Sequence, residues 1–342
     1  METQWQPPKI KDHPSQYPQT LCQPQCEIFK DYTRYSELIY TIASLDELEQ
    51  GALETIVANL DPGDEICQIV VSPRQQINDP TQVDLAGYMD LQGSYEWVLV
   101  LTRKNLVLFD ATFPNNLPMV KKVPIKNLLS ITWGRILLQS WVDWSWTAGS
   151  IVEHARIKFS SSGEKPIEET IRYIHGADLP NAGELYRLLP EQDLNTNSLP
   201  NKFIDLLPLL LNHQDKILEG VYYPFKPAVW KSWYGLCRKL ERKATPSTAF
   251  LLTEQQYIMI YEEDHDAGLG LGTVIQSINR KNILDLFIES KLDCIQLFLL
   301  VGDKNAEERI FIRAPEECFE EIIEKFRIHF LADQYPVFSE GS

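Results

Sequence analysis

Apolar residues change period along this chain, and the changes mark its elements. Over residues 35–60 they fall mostly three or four apart (Leu38, Ile42, Leu45, Leu48, Leu53, Ile56, Val57, Leu60), which predicts a helix. Asp61-Pro62-Gly63-Asp64 ends it with a turn. Residues 66–71 form a short β-rich run. Residues 97–102 and 106–109, separated by the polar Arg103-Lys104-Asn105, read as a β-hairpin. Further strands are expected at 119–124, near 136–146 and at 151–159, with a short helix at 185–189 capped by Asn181.

The second half repeats this order. Leu60, Asp64, Ile66, Val70, Pro73, Leu101 and Thr102 recur 151 positions later as Leu211, Asp215, Ile217, Val221, Pro224, Leu252 and Thr253. Residues 203–211 predict a leading helix that Pro208 must kink or shorten. Residues 249–253 and 257–261 predict a second hairpin. Lys126-Asn127 recurs as Lys281-Asn282 at an offset of 155. Residues 316–330 predict an amphipathic helix, with Cys318, Phe319, Ile322, Ile323, Phe326 and Phe330 on one side and glutamates on the other. The expected organisation is a flexible or wrapping arm (1–34), a first domain (35–190), a linker (191–202), a second domain (203–330) and a tail (331–342).

A hydrophobic content of 44% over 342 residues is enough for two cores. The net charge of −16 argues against nucleic acid as a partner, because phosphate contacts need surplus Lys and Arg. No apolar run reaches the length of a membrane span, and the N-terminus has no signal-peptide pattern. The six cysteines form no CxxC, and a reduced cytoplasmic protein is the simplest expectation.

Each half is a run of short strands closed by one helix. This resembles the pleckstrin-homology-like (PH-like) superfold, and more closely its bacterial PH-like and GRAM-type domains. Asp61-Pro62-Gly63-Asp64-Glu65 resembles the turn before that family's first strand, and Leu101-Thr102 and Leu252-Thr253 resemble its hairpin. The fold class this implies is α+β, mainly β: two partly open antiparallel barrels, each closed by a C-terminal helix. The resemblance also implies binding of lipids, peptides or proteins without catalysis.

Residues 226–243 are the foremost candidate contact surface. Six basic residues against one acid make them about +5. Val229, Trp230, Trp233, Leu236, Cys237 and Leu240 have helical spacing, with Lys231, Arg238, Lys239, Arg242 and Lys243 between them. A basic helix with aromatics on its apolar face, Tyr234 included, suits a groove on a partner protein or an anionic membrane surface. The insert could equally pack its Trp residues on its own barrel. Trp133, Trp141, Trp144 and Trp146 form a second candidate group. Trp141 lies on the opposite strand face from Trp144 and Trp146, so not all can enter one core. Packing between the domains competes there with a ligand groove. Glu262-Glu263-Asp264-His265-Asp266 reads as a solvated loop. Gly268-x-Gly270-x-Gly272 lacks the context of a phosphate loop.

The expected function is therefore a non-catalytic binding or scaffolding protein with no cofactor and no metal. It would contact a protein through the basic insert, with peripheral attachment to an anionic membrane as the alternative. A hydrolase with an unrecognised site ranks behind both.

Overall fold

The computed structural model describes residues 39–76, 94–111, 119–136, 139–177, 199–212, 214–226, 229–233, 237–242, 245–263, 272–291, 294–303 and 305–334. They are mainly β, with antiparallel sheets, and no sheet among them closes on itself. The arm (1–34), the helix expected at 185–189 and most of the 191–202 linker lie outside the described residues. No described helix is long and apolar enough to cross a membrane.

The first half opens with β1 (Tyr40–Thr41), a 3-10 turn (Leu45–Glu47) and α1 (Gln50–Asn59). These replace the single helix expected over 35–60. Ser44 accepts a hydrogen bond from the Asp46 N–H, and the Glu47 carboxylate accepts from the Ala43 and Ser44 N–H groups. That capping box starts a new helical turn at residue 45 and interrupts the period. Then come β2 (Ile66–Gln76), β3 (Ser94–Thr102), β4 (Asn105–Asp110) and β5 (Met119–Pro124), each beside the last. A 3-10 turn at Ile125–Asn127 leads to β6 (Leu128–Ile136), β7 (Gln139–Ala148) and β8 (Ile151–Ser160).

The helix that closes this half is α2 (Lys165–His175), in a stretch to which sequence reasoning gave no helix. Its signals are Ile167, Ile171 and Ile174 at spacings of four and three, Pro166 in the first turn, and Gly176 after the last. Gly176 adopts φ 62°, and the Ala177 N–H reaches back to the Arg172 carbonyl at 2.8 Å, ending the helix. Ile167 and Ile171 are fully buried, each contributing roughly 1.5–3 kcal/mol of transfer free energy.

The second half repeats the order: α3 (Asn201–Ile204) with a 3-10 turn at Leu207–Leu209, then β9 (Ile217–Tyr223), β10 (Val229–Trp233), β11 (Cys237–Arg242), β12 (Thr248–Thr253), β13 (Gln256–Glu263) and β14 (Gly272–Asn279). A 3-10 turn at Arg280–Asn282 leads to β15 (Ile283–Lys291), β16 (Cys294–Gly302), β17 (Glu307–Ile312) and α4 (Phe319–Gln334). The shared Leu-Thr pairs have a physical role. Thr102 Oγ1 accepts the Asn105 N–H at 2.9 Å and donates to Asp64 at 2.6 Å. Thr253 Oγ1 accepts the Gln256 N–H at 2.9 Å, and the matching Asp215 accepts the Asn212 N–H at 2.8 Å. Each threonine ties its hairpin turn; Asp64 links the turn before β2 to that hairpin, and Asp215 braces the turn before β9.

The halves are not separate beads. β14 pairs antiparallel with β6, from Gly272 opposite Ile136 to Ile278 opposite Ser130. This seam makes one seven-stranded sheet in the order β8-β7-β6-β14-β13-β12-β9. Alternation then sends successive side chains to different cores. Ile131, Trp133, Leu251, Ile258 and Ile275 face a core walled by β2–β5, α2 and α3. Phe250, Leu252, Tyr257 and Met259 face a second core under β15–β17 and α4. A third core lies between α1 and the far face of β2–β4. The Asn282 side chain donates to the Leu128 carbonyl at 2.9 Å, so the second copy of the Lys-Asn pair also staples the two halves.

Candidate functional site

The basic insert is a β-hairpin, not the expected helix. β10 and β11 pair with Trp230 opposite Leu240, Lys231 opposite Lys239, Ser232 opposite Arg238 and Trp233 opposite Cys237. Lys226 and Thr245 explain why. Each donates its N–H to the other's carbonyl at 2.9 Å, so the two ends of the insert meet. A helix over 229–240 would carry the chain about 18 Å in one direction and leave those ends apart. The β-forming Val229, Trp230 and Trp233 satisfy the return path, and their helical spacing is coincidental. Outside the strands, Lys226 Nζ meets Glu317 Oε1 at 2.5 Å, tying the base of the insert toward α4.

The hairpin redistributes the candidate residues. Trp230 and Trp233, three apart on one strand, take positions on opposite faces. In the register, Trp230 takes the same face as Ser232, Arg238 and Leu240; Trp233 takes the same face as Lys231, Cys237 and Lys239, and a bulge beside Trp230 sets Arg242 opposite Val229 on that second face. Each face thus carries one tryptophan, with one cation beside Trp230 and three on the face of Trp233. Tyr234 and Lys243 lie outside the described residues. β10 and β11 form a two-stranded sheet of their own and pair with no other described strand.

The second candidate group belongs largely to the core. Trp144 and Trp146 are 0% and 2% exposed and Trp133 is 4% exposed, so Trp144 is not a contact residue. The seam supplies the reason: β6 and β7 present Ile131, Trp133, Val142, Trp144 and Trp146 to one shared core. Trp141, on the other face, is half-buried. Its ring lies over Gly134, where an added Cβ would fall 2.0 Å from a ring carbon. That glycine admits the ring, and Trp141 remains the partly accessible member of the group.

Trp133 also borders a cleft of about 610 Å³ between α2 and the α3 region, where the halves meet. Arg135, Lys165 and Arg172 are balanced there by Glu168, Glu169 and Asp205. Arg135 pairs with Glu164 at 2.6 Å. Burial, helped by the nearby Glu164 carboxylate, raises the Glu168 pKa above its ordinary value. Sequence reasoning did not assemble this cleft, because its residues come from three separated elements. Of the acidic run, Glu262 pairs with Lys202 and residues 264–266 lie outside the described residues. Gly268 and Gly270 lie outside them too, while Gly272 begins β14 and forms no loop. Among the described residues no group of His, Cys, Asp and Glu could hold a metal ion. No protein-family model matches the chain, and no curated protein matches it.

Proposed function

We propose that the chain is a non-catalytic binding or scaffolding protein of two PH-like units, engaging a protein partner through the β10–β11 hairpin. The PH-like reading rests on a repeated order: four strands (β2–β5; β9 and β12–β14), a 3-10 turn, three strands and a closing helix in each half, with β1 added in the first and the hairpin inserted in the second. The contact reading rests on one observation. A hairpin carrying four of the insert's six basic residues, in a chain of net charge −16, pairs with no other described strand.

Cations on both faces and open strand edges suit an extended acidic segment, which gains backbone hydrogen bonds at an edge and charge pairing along it. A bilayer is a poorer fit. It takes up one apolar face, whereas Trp230 and Trp233 occupy opposite faces.

Affinity capture from cells with the full chain and with Lys231→Glu/Arg238→Glu/Lys239→Glu tests this reading. Specific loss of captured proteins in the variant is the expected result; the same set from both chains overturns it. Co-sedimentation with anionic vesicles that Trp230→Ala/Trp233→Ala abolishes would favour the membrane instead.

A further inference from the structure

Lys126 and Lys281 occupy matching places, each in the 3-10 turn that joins the first sheet of its half to the second. β6 leaves one turn and β14 enters the other. Antiparallel pairing therefore brings both turns to the same end of the seam, where Ser130 stands opposite Ile278. Neither half alone could make this arrangement.

Between the two turns and the end of α2 lies a cavity of about 250 Å³. Lys126 and Lys281 are exposed at its edge, and His175, Gln255 and Asn279 add polar groups. Ile125, Leu129 and Ile174 supply apolar patches to its wall, between the uncharged polar Ser130, Gln256 and Ser277. No carboxylate is among the residues that line it. That is unusual in so acidic a chain, and it contrasts with the charge-balanced cleft beside Trp133. Neither lysine forms an ion pair among the described residues. His175 lines the cavity with its Nε2 sealed from solvent.

We propose that this seam cavity binds a small phosphate monoester, its dianion held between Lys126 and Lys281 at the mouth and its carbon skeleton against the apolar residues of the wall. Two ammonium groups act as point charges suited to a compact dianion; a planar carboxylate would favour arginine forks. Burial keeps the His175 imidazole neutral, with a pKa lowered to about 4, so it adds no charge to the cavity and the two lysines alone set its sign. The site is distinct from the hairpin and does not depend on its role.

The test is ³¹P NMR line broadening and calorimetric titration of the full chain at fixed ionic strength. The probes are inorganic phosphate, glycerol 3-phosphate and succinate. Saturable binding of the phosphates over succinate is expected, with Lys126→Gln and Lys281→Gln each weakening it about tenfold, the loss of one charged hydrogen bond. Exposed Lys216→Gln should leave it unchanged, and thermal melts of all variants should coincide. Phosphatidic acid vesicles present the same monoester on a lipid; binding them more tightly than glycerol 3-phosphate would assign the source as a headgroup, and the reverse a soluble metabolite. Absence of saturable binding to any phosphate probe, equal binding of succinate, or equal weakening by Lys216→Gln overturns the proposal.

Discussion

The three-stranded sets β6–β8 and β15–β17 are the same structure with different outward rows. Thr132, Asp143 and Arg156 stand opposite one another across the first set; Phe287, Phe298 and Phe311, each 155 residues later, stand opposite one another across the second. Arg156 donates to Asp143 at 2.6 Å, whereas Phe298 lies 6.0 Å from Phe287 and 5.9 Å from Phe311 between ring centroids. The inward positions did not diverge in kind. Val142, Trp144 and Ile157 correspond to Leu297, Leu299 and Ile312, and all are buried. Burial constrains one face to apolar residues of matching volume, while the other face is free to change. The edges differ as well. β6 is paired by β14, but β15 has no described strand on its other side.

The seam is the sharpest place to break this comparison. Ile275, opposite Trp133, is buried in the core that both halves share. Ile275→Asp places an unpaired charge there and should cost at least about 3–5 kcal/mol. Denaturant unfolding followed by fluorescence and circular dichroism should show one weakened transition for the whole chain; two separate transitions would mean that the halves fold independently. Inward and outward positions should differ almost as strongly. Trp144→Ala should cost about 3–5 kcal/mol. Phe311→Arg, which gives the second set the residue of the first, should stay within about 1 kcal/mol because Phe311 is 43% exposed. A loss at Phe311 as large as at Trp144 would show that the phenylalanine row is structural.

The two hairpin turns should behave alike. Thr102→Val and Thr253→Val each leave a buried turn N–H without its acceptor and should cost about 1–2 kcal/mol, read from the shift in urea midpoint. The pH dependence is smaller and separates two regions of the first half, the turn before β2 and the end of α2. Hydrogen bonds from Lys122 and Asn105 lower the Asp61 pKa, and the Thr102 hydroxyl lowers that of Asp64, both from 3.8. The folded state therefore holds these carboxylates charged at pH values where the unfolded chain takes up protons. Their contribution is present above about pH 4 and is lost as the pH falls further. His175 acts in a higher window. Its folded pKa of about 4 lies below the usual 6.5, so its contribution is full above pH 6.5 and declines toward pH 4. Urea midpoints against pH should lose the upper slope in His175→Gln and the lower one in Asp61→Asn/Asp64→Asn.

Much of the strand order was legible because its signals are local. The Leu-Thr pairs with polar turns located both hairpins, and Pro208 marked the break between α3 and the 3-10 turn that follows. The helix α2 was legible but overlooked, since its three isoleucines keep helical spacing. The candidate sites were less so. Trp230 and Trp233 fit a helical period as well as a strand, and the pattern of five or six residues cannot choose between them. The backbone pairing of Lys226 with Thr245, nineteen positions apart, made the choice.

By itself, the sequence determined the repeated order of elements, the strand-rich class and the apolar face of many strands, because alternation and turn chemistry act over a few residues. Only the tertiary structure decided that β6 joins β14, that Trp144 is core, and that Lys126 and Lys281 border one cavity. An exposed strand edge offers the same backbone donors and acceptors to any partner, so its own residues do not say which strand will fill it. That choice belongs to the packing of two cores around one continuous sheet, and it carried the repeated Lys-Asn pair from a mark of duplication to the rim of a cavity.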